Sequence, residues 1–347
     1  MNILIVKMSA LGDIIHALPV LDYLHKVVPG ACVDWVVEEP FRDVLEGNPL
    51  IDRLLSVRTK VWRKKPLAAA TRREIGELKA ALREKPYDLL FDIQGNLKSG
   101  LVCWLSGAPN RIGFEKEVLQ ESINLLFTNR QVPLRKMDAH ITDQYLRLVS
   151  IPFGKDYPGM ALTTDIHTSP QEDAVAETLL ATLDDGLVFL FHQGTTWQTK
   201  YWEEESWIDL GRKVLDAHPR STILLSWGNE GERQAVMRIA AGIGSGARVI
   251  DRYPLKGLAA LLKKVDVVVG GDTGPVHVAA AVGTPTVSFY RASDGRRSGP
   301  RGKQHVIVQS PLHCARCFRT ACDKDAECRR SIGVGDMFAG IEKVLKQ

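Results

Sequence analysis

Short continuous apolar runs alternate with longer amphipathic stretches along most of the chain. Residues 3–7 read as a buried strand, 13–28 as a helix, 32–37 as a strand, 72–85 as a helix and 88–92 as another strand. That is βαβ order, and strands built of unbroken Ile, Leu and Val predict a parallel sheet covered on both faces. The pattern pauses over residues 151–173, where Pro152, Gly154, Pro158, Gly159 and Pro170 mix with Ser and Thr, a composition suited to a linker. A second series follows, with strands at 187–191, 221–226, 249–250, 265–270 and 285–290, and helices at 203–218, 230–243 and 255–264.

Two open α/β sheets are therefore expected: an amino-terminal domain over 1–160, a linker over 161–173 and a carboxy-terminal domain over 174–330. A final helix over 331–347 is expected to pack back on the first domain. Such sheets bind ligands beyond the carboxyl ends of their strands, so a crevice between the two halves is the expected site.

A chain of 347 residues, 45% hydrophobic and 25% charged, is large enough for two cores. The net charge of +4 does not announce a nucleic-acid binder, so distribution matters more than total. The opening apolar run is short and lacks the long core of a signal peptide. Residues 273–290 carry no formal charge, but Gly274, Pro275, His277, Gly283 and Pro285 make them loop, helix, turn and strand rather than a membrane span. A cytoplasmic location is expected, with any membrane-embedded substrate met at the surface.

Three segments carry chemistry. After the first strand, Lys7-Met-Ser-Ala-Leu-Gly-Asp13 delivers a carboxylate to a helix start without the G-x-G-x-x-G of a dinucleotide site. Asp13 there either caps the helix or serves as general base toward a hydroxyl, and the roles are compatible. In the second half, His192-Gln-Gly-Thr-Thr-Trp-Gln-Thr-Lys200-Tyr-Trp202 offers hydroxyls, a glycine and a lysine, groups that can hold a leaving diphosphate; an ordinary polar loop is the plainer reading. Gly270-Gly-Asp-Thr-Gly-Pro-Val-His277 leads a strand into an Ala-rich helix, whose start attracts phosphate. Asp272 and Thr273 could instead only cap that helix, and His277 could be a core histidine.

Taken together the segments become specific. Ile3-Leu-Ile-Val-Lys-Met-Ser-Ala-Leu-Gly-Asp13-Ile-Ile-His16-Ala-Leu-Pro19 resembles the opening of glycosyltransferase family 9, the ADP-heptose:lipopolysaccharide heptosyltransferases. Asp34-Trp-Val-Val-Glu-Glu39, Trp62-Arg-Lys64 and Asp92-Ile-Gln-Gly-Asn-Leu-Lys-Ser99 resemble the heptosyltransferase I branch. Thr195-Thr-x3-Lys200-x-Trp202, Trp227-Gly-x3-Glu232 and Asp272-Thr-Gly-x2-His277 continue the match in order through the second half.

The resemblance implies an α/β fold of GT-B architecture, two Rossmann-like domains facing a cleft, and an inverting transfer that needs no metal cofactor. It implies ADP-heptose as donor and a Kdo-lipid A type anionic glycolipid as acceptor, met by a peripheral protein at the cytoplasmic face of the inner membrane. By matching position, Asp13 would be the base and Lys200 the partner of the diphosphate. Thr195, Thr196, Glu232, Asp272, Thr273, Gly274 and His277 would hold the donor, Glu232 through the nucleoside. Ser9, Gly12, Lys60, Arg63, Lys64 and Lys98 would meet the acceptor. Glu203 and Pro275-Val276 depart from the usual pattern, which leaves first and later heptose additions both open.

The basic run Arg53, Arg58, Lys60, Arg63, Lys64, Lys65, Arg72, Arg73, with Trp62 inside it, suits Kdo carboxylates and lipid A phosphates. A solvated helix face, or a surface for single-stranded nucleic acid, would use the same residues; no nucleic-acid partner is expected. Cys314, Cys317, Cys322 and Cys328 have the spacing C-x2-C-x4-C-x5-C, which could supply a structural zinc site, with reduced structural thiols as the alternative. A nucleotide-sugar epimerase of the same two-domain shape is the other enzymatic class to exclude.

Overall fold

Residues 2–6 (NILIV), apolar after Asn2, form the central strand of the first of two sheets in a computed structural model that describes residues 1–347. The chain divides into unit 1, Met1–His167, and unit 2, Thr168–Gln347. Unit 1 runs β1 (Asn2–Val6), α1 (Leu11–Ala17), α2 (Pro19–Val27), β2 (Cys32–Glu38), β3 (Arg53–Val57), α3 (Thr59–Lys64), α4 (Ala69–Arg83), β4 (Leu89–Asp92), α5 (Leu97–Ser106), β5 (Arg111–Phe114), β6 (Arg130–Val132) and α6 (Ile141–Ser150).

All its strands are parallel in the order β3-β2-β1-β4-β5-β6, with Val6 opposite Val36 on one side and Asp92 on the other. The chain leaves β1 toward one edge and leaves β4 toward the other, so β1 and β4 flank the switch point where such sheets bind ligands. The single helix expected over 13–28 is two helices: α1 ends at Ala17 and Pro19 opens α2, a position where its missing N–H costs nothing.

Unit 2 runs α7 (Pro170–Leu180), β7 (Val188–His192), α8 (Glu204–Ala217), β8 (Thr222–Ser226), α9 (Glu230–Ile243), β9 (Ala247–Val249), α10 (Leu255–Leu262), β10 (Val267–Gly271), α11 (Gly274–Ala281), β11 (Thr286–Tyr290), α12 (Gly295–Ser298), β12 (His305–Gln309), α13 (Asp325–Arg330) and α14 (Val334–Leu345). Its parallel order, β12-β11-β10-β7-β8-β9, is the same winding read from the other edge, with β7 and β10 at the switch point.

The segment expected as a loose linker is tied at both ends. Thr163 donates its amide to Asp22 (2.8 Å) and Ile166 is buried in unit 1, while Ser169 and Glu172 form a reciprocal cap on α7. The last helix corrects the expectation for residues 331–347: Met337, Ile341 and Val344 of α14 are buried in unit 2, in one core with Phe189, Trp207 and Val287. Gly340 allows this approach, because a Cβ there would lie 2.8 Å from Val287. No helix is long and apolar enough to cross a membrane.

Candidate active site

The sites form where strands end at the two switch points. In unit 1, β1 runs out at Val6 and the next residue, Lys7, is only 2% exposed, its Nζ 3.5 Å from Asp13 Oδ2 and 5.1 Å from the centre of the Tyr145 ring. Asp13 is the third residue of α1 and reaches back to the Ala10 amide at 3.4 Å, leaving its side chain one-third exposed. Capping is thus a weak part of its contacts, and a buried cation orients the carboxylate. Sequence reasoning passed over Lys7; a lysine ending an apolar strand was the available signal.

The β4 end braces this turn. The amides of Met8 and Ser9 donate to Gln94 Oε1 (3.1 and 3.0 Å), and Gln94 and Gly95 donate theirs to the fully buried Asp92 (3.0 Å each). Asp92 also accepts from Ser99 Oγ (2.8 Å) and Asn124 Nδ2 (2.7 Å). Burial nevertheless raises its pKa, and the hydrogen bonds offset only part of that. Ser9 and Gly12 lie on this braced turn, and Lys98 is half-buried on α5.

Folding divides the basic run. Arg53 is taken out of the expected acceptor surface: its guanidinium donates to the fully buried Asp34 (2.8 Å), which also receives Lys85 (3.0 Å) and Tyr87 (2.6 Å). Arg58 pairs with Glu39 and Glu74, and Trp62 donates to Glu74 (2.7 Å) while packing on the core, so its indole edge is committed. Lys60, Arg63, Lys64 and Lys65 remain exposed on and just after α3.

In unit 2, Lys200 Nζ lies 2.6 Å from Asp272 Oδ2 and 4.5 Å from the centre of the Trp197 ring, and His277 Nε2 lies 3.2 Å from Asp272 Oδ1. Burial alone would raise the Asp272 pKa, but the His277 hydrogen bond and the Lys200 charge outweigh it and hold the carboxyl well below its usual range. Thr273 occupies the N-cap position of α11 without capping it; its Oγ1 is buried with no hydrogen-bond partner, as is Gln193 Nε2 at the neighbouring strand end. Buried polar atoms left unpaired are rare and expected where a ligand completes them. Gly274 opens α11; Pro275 after it has no N–H and the His277 amide donates to the Thr273 carbonyl, so Gly274 and Val276 carry the first-turn amides left for a ligand.

Thr195 is partly exposed and its carbonyl receives Tyr201 Oη (2.9 Å); Thr196 is exposed. Glu232 accepts the Gly228 amide (2.7 Å), and its carboxylate presses on Gly194, where a Cβ would sit 2.4 Å away. Beside it an open pocket of about 290 Å³ is lined by Trp227, Arg233, Met237, Val249, Ile250 and Asp251. Of these only Trp227 stood out in the sequence, because the rest lie on α9 and at or just after the end of β9 and meet only in space.

The cysteine expectation is corrected. Cys314, Cys317, Cys322 and Cys328 are free thiols, and nowhere do three or more His, Cys, Asp or Glu side chains gather as metal ligands. The segment is anchored otherwise. The fully buried Arg291 donates to the carbonyl of Tyr201 and to Asp325 Oδ1 (2.6 Å), while the amides of Arg316 and Phe318, both at positive φ, donate to Arg291 and Ala292. Those backbone bonds set the course of the segment and leave Cys314 and Cys317 facing solvent.

Two Rossmann-like units, each gathering charged groups at a switch point, are the architecture of GT-B enzymes, and the comparisons decide which class of them this is. Residues 75–326 match the model of glycosyltransferase family 9 (heptosyltransferase). The chain belongs to that family. It is 32% identical to lipopolysaccharide heptosyltransferase 1 of Pseudomonas aeruginosa over 323 residues, 93% of this chain and 87% of the relative. The E. coli heptosyltransferase WaaC with ADP superposes with a TM-score of 0.80 at 27% identity, covering 99% of this chain and 100% of that one. The same enzyme with ADP-2-deoxy-2-fluoro heptose gives 0.77 at 27% identity, covering 99% of each chain.

Proposed function

We propose that this glycosyltransferase moves heptose from ADP-heptose to the Kdo region of the lipopolysaccharide inner core, with inversion at the anomeric carbon, as the first heptose addition. The observation that carries the donor assignment is the buried, unpaired Thr273 Oγ1 at the start of α11, beside the Lys200–Asp272–His277 cluster. A diphosphate oxygen would complete that hydroxyl, the α11 amides and Lys200 together, with Thr195, Thr196 and Gly274 adding contacts. Glu232 would take a ribose hydroxyl, and the pocket walled by Trp227 and Met237 would take the base. The similarity to heptosyltransferase 1 over nearly the whole chain supports the first addition over a later one.

Asp13 accepts the proton of the acceptor hydroxyl as its oxygen attacks the anomeric carbon, through a transition state of oxocarbenium character. Lys200 and the amides of α11 meet the negative charge that moves onto ADP; they supply the field a metal would otherwise provide, so the transfer proceeds without one. Lys60, Arg63, Lys64 and Lys98, with Ser9 and Gly12 on the turn, receive the acceptor's carboxylates and phosphates. The protein works as a peripheral protein on the cytoplasmic face of the inner membrane.

ADP release from ADP-heptose, measured with and without a Kdo-lipid A acceptor, tests this. Release that requires acceptor is expected; equal ADP release without it would sink the transferase reading and favour a hydrolase, with water taking the heptosyl group.

A further inference from the structure

One face of unit 1 is apolar and unpartnered. On α5, Leu97, Leu101 and Trp104 follow the i, i+4, i+7 spacing that puts them on one side of a helix, and all three are exposed, Trp104 at 61%. The opposite side of α5 is spent in the core through Val102 and Cys103. Next to the stripe, the 3-10 turn Ser122–Leu126 adds Ile123 and Leu126, the latter 78% exposed.

This turn is bolted down. Glu121 accepts the Leu97 amide (2.7 Å), Asn124 donates to the Asn96 carbonyl (2.9 Å) and to buried Asp92, and Phe127 lies so close to Gly100 that a Cβ there would sit 2.4 Å from its ring. The five apolar side chains therefore project from a rigid platform, not from a frayed loop.

Charge identifies the occupant. Trp62 of α3, Leu105 of α5 and Phe127 pack on one core cluster, so α3 and α5 belong to the same helical layer. Residues 59–126, which span α3, α5 and the turn, contain twelve Lys and Arg against eight Asp and Glu, one of which is the buried Asp92. An apolar tip carrying a tryptophan, with exposed Arg83 donating to the Leu105 carbonyl of α5 (3.0 Å) and with Lys60, Arg63 and Lys64 exposed in the same helical layer, matches the boundary between headgroups and acyl chains of an anionic bilayer. A symmetric contact between two copies would instead bring this cationic rim against itself.

We infer that the outer face of α5, together with the turn Ser122–Leu126, is the surface by which unit 1 inserts into an anionic phospholipid bilayer. The inference deepens the proposed transfer to a glycolipid by naming the partner surface, and it can fail or hold independently of that reading. Flotation of the full chain with vesicles of phosphatidylethanolamine and phosphatidylglycerol, and with phosphatidylcholine vesicles, reads it directly. The intact chain is expected to float with the anionic vesicles and not with the zwitterionic ones. Combining Leu101→Ser, Trp104→Ala and Leu126→Ser should weaken that partition by more than about tenfold. The same variant should transfer heptose normally to a Kdo saccharide lacking acyl chains and slowly to acceptor embedded in vesicles. Leu126→Glu alone, at the most exposed of these positions, should act in the same direction. The inference is overturned if the wild type ignores anionic vesicles, if the variants float equally well, or if the wild type is a dimer that the triple variant separates.

Discussion

At the switch point of unit 1 most polar groups are spent on one another, with Asn124 Oδ1 the exception: Gln94 takes the amides of Met8 and Ser9, Asp92 takes five donors, and Lys7 holds Asp13. At the switch point of unit 2 the charges are also paired, yet Thr273 Oγ1 and Gln193 Nε2 are left buried and unanswered at adjacent strand ends. One winding therefore serves two purposes. Under the proposed transfer, unit 1 holds a single carboxylate and offers exposed cations to the acceptor, while unit 2 offers buried, unpaired groups that a diphosphate would complete.

The largest expected effect breaks the unit 1 side alone. Asp13→Asn should lower kcat by about 10²-fold or more while ADP affinity stays unchanged, checked by steady-state kinetics and calorimetry. Lys200→Ala should lower kcat by more than about tenfold and weaken ADP binding as well, since that lysine meets charge both before and during departure. Near-normal turnover of the first variant would remove the base assignment; ADP binding unaltered in the second would detach Lys200 from the diphosphate.

Thr273→Val replaces the unanswered hydroxyl with a methyl of similar shape. ADP binding should weaken by about tenfold, the worth of a hydrogen bond to a charged group, with the melting temperature held or raised because no native bond is lost. Replacing Lys60, Arg63 and Lys64 by Ala should raise the acceptor KM severalfold and leave the donor KM alone.

The smallest effect is on stability. Burial lowers the pKa of His192 to about 4 from 6.5, and the ring is held neutral against Ser226 Oγ (2.9 Å). As pH falls from 6.5 toward 4 the unfolded chain takes up a proton that the folded unit refuses, so its stability is full above that window and declines through it. His192→Gln should flatten this decline in a series of thermal melts without altering the slope carried by unit 1.

Much of the candidate site was legible because its residues sit in loops that follow strands, where glycines, hydroxyls and charges interrupt strong apolar runs. Of the four edge strands only β9 was, and β5 inside the first sheet was missed as well. Neither β3 nor β12 reads as a continuous apolar run, since Arg53 and Ser56 interrupt the first and His305 and Gln309 bound the second; β6 is only three residues long. Arg53 reads as a surface cation until Asp34 and Tyr87 are placed beside it, and the spacing of the four cysteines leaves a zinc site and reduced thiols both open until the fold sets the side chains apart.

By itself the chain's order of residues determined that there are two α/β series, which strand ends gather the candidate polar residues, and which family the motifs resemble. Strand order was the decision of the tertiary structure. β1 lies beside β4, and β7 beside β10, across gaps of more than eighty and more than seventy residues, because parallel strands must be joined by crossovers and each sheet is wound outward from its middle. No local pattern encodes that adjacency, and it is what brings Gln94 to the turn of Asp13 and Lys200 to Asp272.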